Sequence, residues 1–146
     1  MPMKRDPALV ALSHDHHHAL HQAMLMRRAT ADDVAAVRDE VLAFWAEEGA
    51  RHFRIEEEVL LPAFAAAGDP RDEAVVTVLT DHVWIRERLD RLAATELDLA
   101  GVHELGERLH AHIRHEERVL FPLIERTLGA DALAALGRRI AAAESA

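Results

Sequence analysis

Cysteine is absent from this chain of 146 residues. Its absence excludes disulfides, thiolate catalysis, zinc sites with cysteine ligands and iron–sulfur clusters held by cysteine. No apolar run is long enough for a signal peptide or for a bilayer span, so we expect a cytoplasmic protein. The formal net charge of −9 argues against nucleic acid and anionic membranes as partners.

Signals of β-structure are missing as well. The chain has no tyrosine, little alternation of apolar and polar residues, and no Asn-Gly or Asp-Gly turn. Ala, Leu, Arg and Glu are abundant and favour helices. Because half of the residues are apolar and the length suits one domain, we expect a single all-α domain over residues 1–146.

Several catalytic motifs are also lacking. The sequence has no Gly-rich phosphate loop, no Gly-x-Ser-x-Gly elbow and no His-Glu-x-x-His string of zinc proteases. The Glu-x-x-His pair of ferritin-like proteins does not occur at two bundle positions. Phosphoryl transfer, serine hydrolysis and zinc proteolysis are therefore disfavoured.

Capping residues, glycine and proline divide the chain into five predicted helices. The helices are expected from Asp6-Pro7 or Ser13 to about Ala29, from Thr30 and Asp32–Asp33 to about Ala67 before Gly68, from Asp69-Pro70 to about Thr95, from Asp98 to Gly129, and over about residues 131–144. Short connections predict an antiparallel up-down-up-down four-helix bundle over about residues 7–128, with a short C-terminal fifth helix. Pro62 and Pro122 should kink the last turns of their helices.

The most informative feature is an internal repeat. Residues 52–62 read HFRIEEEVLLP and residues 112–122 read HIRHEERVLFP. Helical spacing places the histidine and the first glutamate of each copy on the apolar face, one turn apart. The glutamates that follow, Glu57 and Glu117, are rotated by about 100° and are weaker candidates for the same site.

The other two long helices supply one histidine each. An Asp-His pair occurs at residues 15–16 and again at 81–82, and His16 and His82 lie in the apolar stripes. Six buried polar groups without partners would cancel the stability of a typical domain, since each costs roughly 2–7 kcal/mol. Four imidazoles and two carboxylates suit two metal ions that share the carboxylates. Ligation by nitrogen and oxygen alone favours iron or manganese over structural zinc.

This pattern resembles the hemerythrin-like, or HHE cation-binding, family over about residues 9–126. The resemblance implies a four-helix bundle with a non-haem di-iron centre, in which Fe²⁺ or Fe³⁺ ions share an oxo or hydroxo bridge; manganese and zinc are alternative metals. It also implies two bridging carboxylates, Glu56 and Glu116. The ligand set carried over by position is His16, His52, Glu56, His82, His112 and Glu116.

Two departures from the oxygen-carrying members of that family bear on function. Arg86 stands where carriers have a further histidine ligand, and the last helix spaces histidine and carboxylate by four residues instead of five. The resemblance therefore implies a more open centre, akin to bacterial relatives linked to peroxide, nitric oxide or iron. Arg86 either enters the ligand pocket and contacts an anion such as peroxide, or forms a salt bridge with nearby acids.

Alternatives remain for several residues and for the function. The six polar residues can form a purely structural core, and His17 or His18 can replace His16 as ligand. His115 is expected not to be a ligand, and His14, His17, His18 and His21 are expected at the surface. We favour a di-iron protein that binds or turns over O₂, NO or H₂O₂, whether or not as an enzyme, and that is a monomer or homodimer. An iron- or redox-sensing module acting through a partner protein and a metal-stabilised structural bundle are the alternatives.

Overall fold

The chain folds into helices alone over residues 4–146, which are the residues that our computed structural model describes. The all-α prediction is confirmed. A 3₁₀ turn, Pro7–Leu9, leads into helix α1, Val10–Arg27. Helix α2 covers residues 34–65, α3 is Glu73–Ala93, α4 covers residues 99–127, and α5 is Ala130–Glu144.

The helix starts agree with the predicted caps in part. Asp6 and Asp98 accept hydrogen bonds from backbone N–H groups of the turns that follow them, as expected of N-caps. The start of α3 at Asp69-Pro70 is wrong, because residues 69–72 form a turn and Asp72 is the cap, accepting from Ala74 N at 2.9 Å. Ser13 does not start a helix either, since it lies within α1.

Both long helices of the repeat contain π-helical segments. They cover Trp45–Gly49 and Glu56–Leu60 in α2 and Glu116–Leu120 in α4. The N–H of Leu61 bonds to the carbonyl of Glu56, five residues back, and Phe121 bonds likewise to Glu116. The segments Glu56–Leu60 and Glu116–Leu120 each end two residues before a proline. A π turn shifts the carbonyls that the proline ring would otherwise clash with, so the helix continues past Pro62 and Pro122.

Two apolar clusters form the core, with a polar layer between them. One cluster joins the start of α1, the ends of α2 and α4, the start of α3, and α5; its largest side chains include Leu9, Leu12, Phe64, Phe121 and Leu136. The other fills the opposite half, with Met26, Phe53, Ile85, Leu92 and Leu105. The repeated motif on α2 and α4 contributes apolar side chains to both clusters.

The tightest helix contact joins α1 and α4. A β-carbon added to Gly106 of α4 would lie 2.8 Å from the carbonyl oxygen of Ala23 and 2.9 Å from the backbone nitrogen of Arg27. Only glycine allows the two backbones to approach this closely. This contact fixes α1 against α4, and with it the distance of His16 from the repeat on α4.

No helix within residues 4–146 combines the length and the apolar character that crossing a membrane requires.

Candidate metal centre

The six predicted ligands all lie inside the bundle. Glu56 and Glu116 are fully buried, and no member of the set exposes more than 8% of its surface. Four helices contribute, in this order along the chain: His16 from α1, His52 and Glu56 from α2, His82 from α3, and His112 and Glu116 from α4.

The side-chain atoms converge in two groups of four residues. In each group, one nitrogen or oxygen from every residue lies within 4.8 Å of the others. The groups are His16, His52, Glu56 and Glu116, and Glu56, His82, His112 and Glu116. Both groups contain the two glutamates, so cations held in the two groups would share these carboxylates.

The carboxylates face the histidine Nε2 atoms at close range. Glu116 Oε1 lies 3.0 Å from His16 Nε2 and 3.4 Å from His112 Nε2. The two oxygens of Glu56 lie 3.1 Å from His52 Nε2 and 3.0 Å from His82 Nε2. All four imidazoles therefore point the same nitrogen at the shared carboxylates.

Several of these atoms approach each other without forming hydrogen bonds. Glu56 Oε1, His82 Nε2, His112 Nε2 and Glu116 Oε2 are buried and have no hydrogen-bond partner. His82 Nε2 and Glu56 Oε1 are only 3.0 Å apart, yet their orientation does not suit a hydrogen bond. Unpartnered buried donors and acceptors are costly, and a cation between them would satisfy these atoms. The residues present thus fit a metal pair.

The outer nitrogen of each histidine contacts a carboxylate of another helix. His16 Nδ1 lies 2.6 Å from Glu117 Oε2, and His82 Nδ1 lies 2.6 Å from Glu57 Oε2. Because a carboxylate only accepts, Nδ1 carries a proton in each pair, and Nε2 is the nitrogen that would bind a cation after losing its own proton. Glu57 and Glu117, set aside as weaker candidates from their helical phase, therefore orient histidines of other helices.

The two Asp-His pairs complete the same scheme. His52 Nδ1 lies 3.1 Å from Asp15 Oδ2, and His112 Nδ1 lies 3.0 Å from Asp81 Oδ2. Carboxylates in this position fix the ring and its tautomer and raise the basicity of the ligand nitrogen. The sequence reasoning missed this role for all four acids, although the repeated Asp-His and Glu-Glu doublets were the signal.

Electrostatics in the metal-free cluster favour protonated histidines. Burial opposes the charge, but hydrogen bonds with Glu116 and Glu117 raise the pKa of His16 to about 9. Burial is likewise outweighed at His52, where Glu56 and Asp15 raise the pKa well above its usual value. Burial raises the pKa of Glu116, and the neighbouring Glu56 carboxylate raises it further. Cations would replace these protons.

Two arginines and a serine donate hydrogen bonds to the orienting carboxylates Glu57 and Glu117. Arg86 Nη1 lies 2.7 Å from Glu57 Oε2, and its guanidinium lies over the Phe53 ring. Ser13 donates to Glu117 Oε2 at 2.7 Å, and Arg5 donates to Glu117 Oε1 at 3.2 Å. Of the two placements considered for Arg86, the structure shows the salt bridge with an acid.

The remaining histidines lie away from both groups. His115 Nε2 bonds to the carbonyl of Ala74 at 3.0 Å. His17 and His18, the alternatives to His16, are exposed on α1, whereas His16 is buried and belongs to one of the groups.

An apolar cavity of about 40 Å³ adjoins one half of the cluster. His16 and His52 form part of its wall, and Asp15, Gln22 and Glu48 are its other polar residues. The rest of the wall is apolar, with these residues: Ala19, Met26, Val41, Phe44, Trp45, Gly49, Phe53, Ile85, Leu89, Leu105 and Leu109. The π-helical segment Trp45–Gly49 shapes one side, and a β-carbon on Gly49 would lie 2.7 Å from the Trp45 ring.

Comparison with models of protein families identified a cation-binding domain. The model described as hemerythrin HHE cation binding domain matches residues 8–124, which include all six clustered residues and the four orienting acids. Searches of curated proteins and of solved structures found no match.

Proposed function

The chain belongs to the hemerythrin HHE cation-binding domain family, and from this premise we propose that it is a di-iron protein that binds or turns over a small ligand. O₂, NO and H₂O₂ are the ligands considered. The proposal rests on the two groups of potential ligands that share Glu56 and Glu116. Each imidazole in these groups contacts a carboxylate from a different helix.

The proposed ligand assignment follows from the two groups. His16 and His52 would hold one ion, His82 and His112 the other, and Glu56 and Glu116 would bridge them. Nitrogen and oxygen donors suit iron, and iron supplies the electrons for reduction of O₂, NO or peroxide when it is bound. Asp15, Glu57, Asp81 and Glu117 keep the Nδ1 protons in place, so that all four Nε2 atoms stay available.

The proposed bundle topology rests on the order of cross-helix contacts. From Arg5, just before α1, through His16 to Arg27, the partners on α4 are Glu125, Glu117 and Glu107, so residue numbers rise on one side and fall on the other. The pairs His18–Glu48 and Asp15–His52 show the same order between α1 and α2. The pairs Ala74–His115 and Asp81–His112 show it between α3 and α4. These contacts support an antiparallel up-down-up-down bundle, with α5 packed on one end as the fifth helix.

The size of the cavity supports a small ligand. A volume of about 40 Å³ exceeds the roughly 10–15 Å³ that one water needs, but it does not admit an organic substrate. Its mostly apolar wall offers water few hydrogen-bond partners beside His16 and His52. The proposed role of Arg86 is to hold Glu57, and through it His82, since its guanidinium bonds to that carboxylate.

Reconstitution with Fe²⁺ under anaerobic conditions tests this proposal. The loaded protein should change its optical spectrum on addition of O₂, NO or H₂O₂. Ala19→Val should narrow the cavity and slow the change without altering the iron content, whereas Ala11→Val, at an exposed position of the same helix, should leave the rate unchanged. A loaded protein that responds to none of the three ligands would contradict the proposal and favour a purely structural metal site.

A further inference from the structure

Four histidines on α1 take no part in the buried cluster. His14, His17, His18 and His21 are exposed and occupy two successive turns. Their spacing contains two pairs four residues apart, 14 with 18 and 17 with 21. Histidines one helical turn apart project from the same face and can chelate one transition-metal ion.

Ring distances place His14 close to two other exposed histidines. The ring centroids of His14 and His18 are 6.0 Å apart, and those of His14 and His17 are also 6.0 Å apart. For comparison, the His16 and His52 rings in the buried cluster are 5.1 Å apart, and the His82 and His112 rings are 5.0 Å apart. The exposed pair is thus within about 1 Å of the separation at the buried centre, and exposed side chains rotate freely enough to close that gap.

A carboxylate of the neighbouring helix orients one member of the pair. His18 Nδ1 lies 3.1 Å from Glu48 Oε2 on α2. This is the same contact that each buried imidazole makes with an acid of another helix. With the Nδ1 proton held by Glu48, His18 Nε2 has a free lone pair on the solvent side.

We propose that His14 and His18, with Glu48 orienting His18, form an exposed site for a first-row divalent transition-metal ion such as Zn²⁺, Ni²⁺ or Cu²⁺. Imidazole nitrogen suits these ions, and water completes the coordination because both rings face solvent. The site is separate from the buried cluster and does not depend on its occupant. It lies beside the cavity, since Glu48 also forms part of the cavity wall.

Calorimetric titration with Ni²⁺ tests this site on untagged protein whose buried centre has first been filled. One further ion should bind per chain. His14→Gln/His18→Gln should weaken that binding by more than about 100-fold, since loss of an outer carboxylate alone weakens metal sites by roughly 10- to 100-fold. Glu48→Gln should weaken it about tenfold, because this contact is exposed.

The matched control is His17→Gln/His21→Gln, which removes the same number of histidines at the same spacing from the same helix. It should change the Ni²⁺ affinity by less than a factor of about three, since neither of these histidines contacts Glu48. The Glu56→Ala/Glu116→Ala variant should retain the exposed site. Absence of an additional ion, equal weakening by the two histidine pairs, or loss of the ion in the glutamate variant would each overturn the proposal.

Discussion

Three consecutive glutamates of α2 should respond differently to truncation. Glu56 is fully buried between the ligand groups, Glu57 accepts from His82 Nδ1 at 2.6 Å, and Glu58 is exposed. Glu56→Ala should abolish binding of at least one of the two ions, because it removes a carboxylate that both groups share. Glu58→Ala should leave metal affinity unchanged.

The expected loss of metal affinity in Glu57→Ala follows from the His82 N–H that the substitution leaves without an acceptor. His82 is 1% exposed, so its Nδ1–H would lose its acceptor in a buried position. An unpaired buried donor costs about 1–3 kcal/mol, and loss of a carboxylate behind a histidine ligand weakens metal sites by roughly 10- to 100-fold, or about 1.4–2.7 kcal/mol. The two estimates agree, so we expect a weaker centre that still loads at high metal concentration.

Competition with a chromophoric chelator measures the Fe²⁺ affinity of each variant directly. Fe²⁺ is titrated anaerobically into each metal-free variant, after circular dichroism has shown equal helix content. The reasoning is refuted if Glu57→Ala binds as tightly as Glu58→Ala, since the carboxylate would then not support His82. It is also refuted if Glu56→Ala retains both ions with unchanged affinity.

Three further predictions concern stability. Removal of the metal should lower the free energy of unfolding by several kcal/mol, because the cluster is costly to bury without cations; chemical denaturation with and without chelator measures this. The pKa of His16 rises from 6.5 to about 9 in the metal-free fold, so protonation of His16 stabilises that fold. The contribution, up to about 3 kcal/mol, is fully present below pH 6.5 and is lost as the pH rises through 9. In the metal-loaded protein the histidine ligands would be neutral, so chemical denaturation at increasing pH should not show this loss of stability. Gly106→Ala should destabilise the fold by about 1–3 kcal/mol, because the new β-carbon meets the backbone of α1, whereas Gly129→Ala, with nothing within 4 Å, should be nearly neutral by thermal unfolding.

Helical periodicity correctly predicted which six polar residues are buried. The apolar stripe of each helix identifies its inward histidine, and the repeat at an offset of sixty residues identifies His52, Glu56, His112 and Glu116. The structure brings these residues together with His16 and His82 in two groups. Whether they ligate metal stays a prediction, which the experiments above address.

Helical periodicity could not predict the contacts between helices. The roles of Asp15, Glu57, Asp81 and Glu117 depend on which helix faces which, because each acid orients a histidine of another helix. A helical wheel places Glu57 off the inward face and cannot show that His82 lies beside it.

The sequence also did not predict the π-helical segments or the cavity. The segments Glu56–Leu60 and Glu116–Leu120 depend on how each helix accommodates Pro62 or Pro122. The cavity depends on the side chains of four helices. The start of α3 was misplaced because Asp69-Pro70 and Asp72 are both plausible caps, and only the fold selects Asp72.

The metal content of untagged protein tests the central claim most directly. The protein is purified without chelator, reconstituted anaerobically with Fe²⁺, freed of weakly bound ions and analysed by plasma emission spectrometry. Two iron ions per chain should remain in the unmodified protein, and fewer in Glu56→Ala and Glu116→Ala, because both ligand groups share these carboxylates. A single tightly bound zinc ion, with no uptake of iron by the metal-free protein, would contradict the di-iron assignment.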